Sequence, residues 1–348
     1  MTTLVEVPDF ALPFPPSKHP AAAQANTEAA QWAVDRQLVQ QTALDGFAGI
    51  GFGDLTARVL PAAAYADVLL LAQWMAWSFV LDDQHDHLIR IGRLEPWQPF
   101  RAAIAAHTGG DRTTSAVTYT HPLTQGFQEL ADRITPRLPQ ATARRWQRHV
   151  REMMASLDQE AANRMAPHPP TVTEYILTRR HSSQLPAMMD MSEAMLGLEV
   201  PPVVYASPTF QELLWSTIDV ISWTNDVFSL AKEAACGDTN NIVVLLAQRD
   251  GLDIAEAVQA TKTRITRRVQ EFLTAEQRLP ATLDTLDVCT PEARNAALQC
   301  GAHYRDWMIG ADHWQRHDCT RYRDQRWADG LEALYTLPDM FVTTEGQR

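Results

Sequence analysis

Apolar residues recur at helical spacing along most of this chain. In seven long segments they return every three or four positions, which is typical of helices that bury one face. Alternating apolar and polar runs, which would indicate strands, are scarce. The predicted helices span roughly residues 62–88, 120–134, 138–164, 171–198, 209–236, 252–278 and 291–317.

Capping residues and prolines indicate where these helices begin and bend. Thr171 and Glu174 have the spacing of a capping box, and Thr290 precedes a proline at a first helical position. Pro186 lies inside the fourth helix, and its ring clashes with the carbonyl of Ser182, so we expect a kink there. Five of the 21 prolines fall in the first 20 residues, which favours an extended N-terminal segment.

No composition shift divides the helical part into separate domains. The turn-rich stretches between the helices are short, and no repeat or charge run interrupts them. We therefore predict an all-α fold with one domain over residues 23–336, preceded by an extended segment (1–22) and followed by a C-terminal tail (337–348).

The charge of the chain disfavours several classes of partner. The chain has 30 Lys and Arg residues against 42 Asp and Glu residues, a formal net charge of −12, which opposes binding to nucleic acid or an anionic membrane. The longest apolar run, residues 68–81, is interrupted by Gln73 and Ser78 and is too short to cross a bilayer. We expect neither nucleic-acid binding nor stable membrane insertion, and we see no export signal.

The cysteines favour a reducing compartment. They show neither CxxC spacing nor the density of a disulfide scaffold, so we predict reduced thiols and a cytoplasmic location. The four are Cys236, Cys289, Cys300 and Cys319.

Three aspartates crowd the C-terminal end of the most apolar predicted helix. In LDDQHD, Asp82 and Asp86 are four residues apart and Asp83 and Asp86 are three apart, so the carboxylates share one face. They repel one another, and the negative end of the helix dipole adds to the cost. A divalent cation would relieve both effects, and Mg²⁺ prefers carboxylate and phosphate oxygens. A solvated acidic helix end is the alternative for this motif alone.

A second set of oxygen ligands lies on the helix predicted over residues 209–236. Asn225, Ser229 and Glu233 are spaced four residues apart, so they form one stripe of amide, hydroxyl and carboxylate oxygens. Lys232 adds a positive charge beside this stripe. The surrounding residues are strongly apolar, which disfavours a stripe that merely faces water.

Together, the two motifs resemble those of one enzyme family. Residues 82–86 are similar to the aspartate-rich motif of microbial class I terpene synthases, and residues 225–233 match that family's NDxxSxxxE motif in full. The resemblance implies a single-domain class I terpenoid synthase fold, an antiparallel helical bundle around a central apolar cavity. It also implies a lyase that uses Mg²⁺, with three ions as the usual number.

The resemblance extends to residues that would contact the substrate diphosphate. Arg321 and Tyr322 are similar to the family's C-terminal RY pair, and Arg179 lies 46 residues before Asn225, where the family carries its diphosphate sensor. Arg179, Arg321, Tyr322 and Lys232 are therefore implied to bind diphosphate oxygens. Ser183 occupies the position of the effector, a backbone carbonyl in this family, although glycine is common there.

Four bulky residues are candidates for the wall of a hydrocarbon pocket. Phe79 and Met75 precede Asp82 by three and seven residues and continue its helix face, while Trp307 and Trp314 are seven residues apart on another helix. Aromatic faces stabilise a passing carbocation by about 0.5–2 kcal/mol each without trapping it. Ordinary core packing is an equally good explanation for any one of them.

The implied reaction is the ionisation and cyclisation of a prenyl diphosphate. Single-domain members with this motif pair are most often sesquiterpene cyclases, so farnesyl diphosphate is favoured over the geranyl and geranylgeranyl alternatives. The sequence leaves the oligomeric state open between monomer and homodimer.

Other functions fit fewer of these residues. A prenyl-elongating synthase would need a second aspartate-rich motif at residues 225–226, and a proton-initiated cyclase would need an aspartate at Val80. The dipeptides His85-Asp86 and His317-Asp318 allow an HD-type metal phosphohydrolase. A non-catalytic helical module is the remaining alternative.

Overall fold

Fourteen α-helices and no strand occur in the residues that the structure describes, which are 6–109, 121–235, 237–286, 290–322 and 340–341 of a computed structural model. A π-helical turn, Trp314–Asp318, follows the last helix. The helices are α1 (Ala22–Asp35), α2 (Leu44–Ala48), α3 (Phe52–Val59), α4 (Tyr65–Arg90), α5 (Trp97–Thr108), α6 (Pro122–Ile134), α7 (Gln140–Met165), α8 (Val172–Ser182), α9 (Leu185–Met195), α10 (Pro202–Tyr205), α11 (Pro208–Ala235), α12 (Ile242–Asp250), α13 (Ile254–Asp284) and α14 (Pro291–His313).

The all-α prediction is confirmed, and each predicted segment contains at least one helix. α4, α6, α7, α11, α13 and α14 correspond to single predicted segments. The capping box at Thr171 and the helix cap at Thr290 are present. Helices α1, α2, α3, α5, α10 and α12 were not predicted. The boundary at residue 336 lies outside the described residues.

The fourth predicted segment is broken rather than kinked. α8 ends at Ser182, Gln184 adopts a left-handed conformation with φ of +65°, and α9 begins at Leu185. Pro186 therefore lies in the first turn of α9, where its missing N–H would be unpaired anyway. The break places Ser183 beside the cavity described below.

The two helices that carry the acidic motifs lie at the centre of the bundle. α4 is buried on most of its surface and packs against α1, α3, α6 and α9. α11 packs against α8, α13 and α14. No helix in the described part of the chain is long and apolar enough to span a bilayer.

The N-terminal segment forms neither helix nor strand over its described part, residues 6–19. It is anchored by aromatic contacts, because the buried ring of Phe10 lies 6.5 Å from that of Phe228 and the ring of Phe14 lies 6.0 Å from that of Phe272. Phe228 belongs to α11, so this segment covers the helix that carries the second motif.

A buried ion-pair cluster anchors α9 to α7. Arg145 contacts both Asp190 and Glu193, with N–O distances of 2.5 and 2.6 Å, and its guanidinium stacks 3.9 Å from the ring centre of Tyr205. Burial raises the pKa of Glu193 to about 7, although Arg145 opposes the rise. The folded protein therefore holds a proton on Glu193 at a pH where the unfolded chain would have released it.

This proton predicts a loss of stability as the pH rises. Between pH 4.5 and pH 7 the folded state binds more protons at Glu193, so the free energy of unfolding should fall, by about 3 kcal/mol from this residue. Glu193→Gln cannot ionise and should lose correspondingly less. Urea unfolding at pH 4.5, 6 and 7.5 measures this, with the exposed Glu199→Gln as control. Parallel curves for Glu193→Gln and wild type would contradict the prediction.

Candidate active site

A cavity opens where α4, α7, α11 and α14 meet the break between α8 and α9. It brings together fourteen of the fifteen residues singled out from the sequence; only Asp83 is not part of its lining. The fourteen are Met75, Phe79, Asp82, Asp86, Arg179, Ser183, Asn225, Ser229, Lys232, Glu233, Trp307, Trp314, Arg321 and Tyr322.

Asp82 is the open carboxylate of the first motif. It lines the cavity, and no hydrogen bond or ion pair holds it among the described residues. Burial raises the pKa of Asp82 to about 6, and the neighbouring Asp86 carboxylate adds to the rise. An unpaired carboxylate that is costly to ionise is a suitable ligand for a cation.

The other two aspartates of the first motif are held in ion pairs. Asp83 forms a two-bond contact with Arg321, in which one N–O distance is 3.0 Å, and it lies 3.5 Å from the Lys232 ammonium. Asp86 lies 2.7 Å from Arg164 and 3.8 Å from Lys232. Burial favours the neutral form of Asp86, but Arg164 and Lys232 hold its pKa below the ordinary value.

The second motif forms the predicted stripe. The Ser229 hydroxyl lies 2.7 Å from Glu233 Oε1, and Asn241 donates to Glu233 Oε2 at 2.7 Å. Burial and the neighbouring Asp226 carboxylate raise the pKa of Glu233 to about 8. Like Asp82, this carboxylate is costly to ionise without a nearby cation.

Asn225 connects the second motif to the residues implied to bind diphosphate. Arg179 donates to Asn225 Oδ1 at 2.9 Å, and Asn225 Nδ2 donates to the hydroxyl of Tyr322 at 2.7 Å and to Gln315 at 3.2 Å. Arg179 also lies 3.1 Å from Asp226. The 46-residue separation of Arg179 and Asn225 thus corresponds to a direct contact.

Part of the cavity wall is apolar. The ring of Phe79 lies 6.0 Å from that of Trp314 in an edge-to-face arrangement, and Met75 and Trp307 extend this surface. The indole N–H of Trp307 donates to Ser192, and that of Trp314 donates to the carbonyl of Ile50. Both N–H groups are therefore satisfied by protein acceptors.

Comparison with known proteins identifies the family. The family model described as "Terpene synthase family 2, C-terminal metal binding" matches residues 73–271, more than half of the chain and both acidic motifs. The chain belongs to this terpene synthase family. It is 27% identical to epi-isozizaene synthase of Streptomyces coelicolor over 94% of this chain and 92% of that protein.

Further relatives agree with this assignment. Pentalenene synthase of Streptomyces avermitilis is 28% identical over 88% of this chain and 91% of that protein. Germacradien-4-ol synthase from Streptomyces citricolor superposes with a TM-score of 0.76 at 27% identity, covering 88% of this chain and 98% of that structure. The chain is therefore an enzyme with the class I terpene synthase fold, and the relatives support a terpene cyclase.

The terpene synthase cavity carries an excess of acidic side chains, which favours the binding of cations. In the part of the chain that the structure describes, seven carboxylates and four cationic side chains lie in or beside the cavity, an excess of three negative charges when all are ionised. Among the described residues, no three His, Cys, Asp or Glu side chains form a complete metal cluster. Metal ions would thus need Asn225, Ser229 and diphosphate oxygens as additional ligands, which suits a site that binds metal together with substrate.

Three charged residues of the synthase cavity were missed by the sequence analysis. Glu160 and Arg164 lie on α7 and Asp238 follows α11, and all three line the cavity. Glu160 and Arg164 are four residues apart and continue the buried stripe of Met153 and Leu157. Charged residues in the core register of an amphipathic helix were the available signal.

The residues of the HD alternative do not meet in the synthase. His85 is buried against Trp97, with ring centres 4.4 Å apart, and it does not line the cavity. Asp318 lies 2.7 Å from Arg58 and 3.4 Å from Lys18. The two dipeptides therefore do not form a shared site.

Proposed function

We propose that this terpene synthase is a Mg²⁺-dependent cyclase that converts farnesyl diphosphate to a sesquiterpene and releases diphosphate. The supporting observation is that the open Asp82 carboxylate and the stripe of Asn225, Ser229 and Glu233 line one cavity together with apolar side chains. Relatives that are sesquiterpene synthases favour the C15 substrate over geranyl and geranylgeranyl diphosphate.

The metal ligands are proposed from this arrangement. Asp82 would hold metal on the α4 side, and Asn225, Ser229 and Glu233 would hold it on the α11 side, with three Mg²⁺ ions in all. Bound Mg²⁺ supplies positive charge that stabilises the departing diphosphate. Asp83 and Asp86, also predicted as ligands, would have to leave their ion pairs with Arg321 and Arg164 to bind metal.

Four side chains are proposed to bind and orient the diphosphate. Arg179, Lys232, Arg321 and Tyr322 all line the cavity. As the C–O bond breaks, both electrons stay with the diphosphate oxygen, and these donors stabilise the charge that develops there. Ser183, at the helix break, is proposed to direct its backbone carbonyl toward the forming cation.

The apolar wall is proposed to fold the hydrocarbon chain and exclude water. Met75, Phe79, Trp307 and Trp314 offer no nucleophile to the cation, and the aromatic faces among them stabilise it. Water exclusion would need closure over the cavity. The loop 234–241 and the tail after Tyr322 are proposed to provide this closure; Cys236 and residues 323–339 and 342–348 lie outside the described residues.

The function is tested by incubating the purified protein with C10, C15 and C20 diphosphates in the presence of Mg²⁺. We expect turnover to be fastest with farnesyl diphosphate and to yield a cyclic C15 product, identified by mass spectrometry. EDTA should abolish turnover. Release of diphosphate without any terpene product would contradict the proposed cyclase.

Trp307 is expected to determine the product more than the rate of ionisation. Trp307→Leu removes ring surface from the apolar wall and keeps that wall apolar, while Ser192, its hydrogen-bond partner, retains a bond to Met189. We expect a new product to exceed about one tenth of the total, with diphosphate release slowed less than about tenfold. Product analysis and diphosphate release measure the two effects, and Trp307→Phe is the conservative control. An unchanged product profile would remove Trp307 from the pocket.

A further inference from the structure

Arg164 links the first acidic motif to the loop that follows α11. Its Nη2 atom lies 2.7 Å from Asp86 on α4 and also contacts Asp238, which follows α11. The side chain is 15% exposed and lines the cavity, and its Nε has no hydrogen-bond partner among the described residues. One guanidinium nitrogen therefore bridges carboxylates from two separate elements.

The end of α7 that carries Arg164 is fixed by its other contacts. Ser182, at the end of α8, donates to Glu160 at 2.5 Å. Asn163 donates to Asn240 at 3.2 Å, in the same loop as Asp238. Contacts with α8 and with the loop after α11 thus fix the end of α7 from which Arg164 extends.

The contacts of Arg164 resemble those of a bound cation. Because Asp86 and Asp238 both reach one nitrogen atom, their oxygens lie close together, and without that positive charge they would repel. Two carboxylates at such a separation are also an attractive pair of ligands for a divalent cation. Asp82, in contrast, has no ion pair among the described residues.

We propose that Arg164 is a positioning residue that occupies Asp86 and Asp238 and so prevents them from capturing a divalent cation before diphosphate arrives. This inference rests on the proposed metal-dependent function. It assigns Asp82 and the second motif as the carboxylates open to metal in the substrate-free enzyme. As a result, tight metal binding requires the additional ligands that diphosphate provides.

The test is the affinity of the enzyme for Mn²⁺ alone, measured from free Mn²⁺ by electron paramagnetic resonance without any diphosphate. Arg164→Met removes the positive charge and exposes two carboxylates, so the dissociation constant should fall at least about tenfold. Arg164→Gln, a polar replacement, carries the same expectation if the methionine variant does not fold. Arg164→Lys keeps the charge and should remain within about threefold of wild type.

Two further variants separate this role from general disturbance of the site. Adding Asp238→Asn to Arg164→Met removes one of the exposed carboxylates and should return the Mn²⁺ affinity to near the wild-type value. Asn163→Ala disrupts the same end of α7 without changing charge, and it should leave the affinity unchanged.

The outcomes distinguish this inference from the proposed function. If wild type binds Mn²⁺ as tightly as, or more tightly than, folded Arg164→Met or Arg164→Gln, the role of Arg164 is overturned. The metal-dependent function would still stand in that case. No Mn²⁺ binding by wild type, with or without inorganic diphosphate, would overturn the metal site and the role of Arg164 together.

Discussion

Asn225→Ala should lower kcat/KM with farnesyl diphosphate about a thousandfold. The substitution removes a proposed metal ligand and also the acceptor of Arg179 and the donor to Tyr322, so both sides of the diphosphate site lose a contact. Loss of one preorganised polar contact to a developing charge commonly costs two to three orders of magnitude. Steady-state kinetics at saturating Mg²⁺ measure the effect.

The control for Asn225→Ala lies on the same helix. Ala231 is exposed on α11, so Ala231→Gln should retain wild-type kinetics. Far-UV circular dichroism should show the same helix content in both variants. Wild-type kcat/KM in a folded Asn225→Ala enzyme would show that the second motif does not bind metal or diphosphate.

Arg179→Ala should have the second-largest effect, lowering kcat about a hundredfold or more through loss of a charge-assisted donor to the diphosphate. It should also lower the free energy of unfolding by about 3 kcal/mol, because Asp226 stays buried without its arginine. Single-turnover diphosphate release and urea unfolding measure the two effects. Arg179→Lys, which keeps the charge but loses the planar fork, should recover more stability than activity.

The adjacent arginine provides a matched control for Arg179. Arg180 faces away from the cavity and makes two 2.8 Å hydrogen bonds to Asp219, which also contacts Arg268 at 3.0 Å. Arg180→Ala should therefore be destabilised but should keep its single-turnover rate. If both variants lost activity equally, Arg179 would have no specific role in ionisation.

The sequence predicts the motif residues well because helical spacing defines their faces. Positions four residues apart must share a face, so the stripe of Asn225, Ser229 and Glu233 follows directly from the residue numbers. That Asp82 lines the same cavity as this stripe does not follow from spacing. The family resemblance supplied that relation, since it depends on how α4 and α11 pack.

Two of the helices that the sequence analysis missed, α1 and α3, have a physical explanation. α1 buries Ala25, Ala29 and Ala33 at helical spacing, but alanine is too weakly apolar to give a clear periodic pattern. Gly53 on α3 allows very close packing, because an added Cβ would lie 2.3 Å from the backbone nitrogen of Asn26. Such close approach between distant segments leaves no periodic signal in the sequence.

The ion pairs within the site also could not be predicted from the sequence. Asp83 and Asp86 are equivalent candidates by spacing, yet Arg321 holds the first and Arg164 holds the second. Their partners lie 238 and 78 residues further along the chain, so no local pattern could indicate which aspartate stays open. Likewise, Pro186 predicted a kink, but the complete break with a left-handed turn at Gln184 required the structure.

The central claim is that the two acidic faces hold metal ions around one diphosphate. A crystal structure of the enzyme with Mn²⁺ and inorganic diphosphate, using anomalous scattering to locate manganese, tests it most directly. We predict manganese beside Asp82 and beside the stripe of Asn225, Ser229 and Glu233, with diphosphate between them and contacting Arg179. Manganese at neither face, or diphosphate bound outside this cavity, would contradict the account.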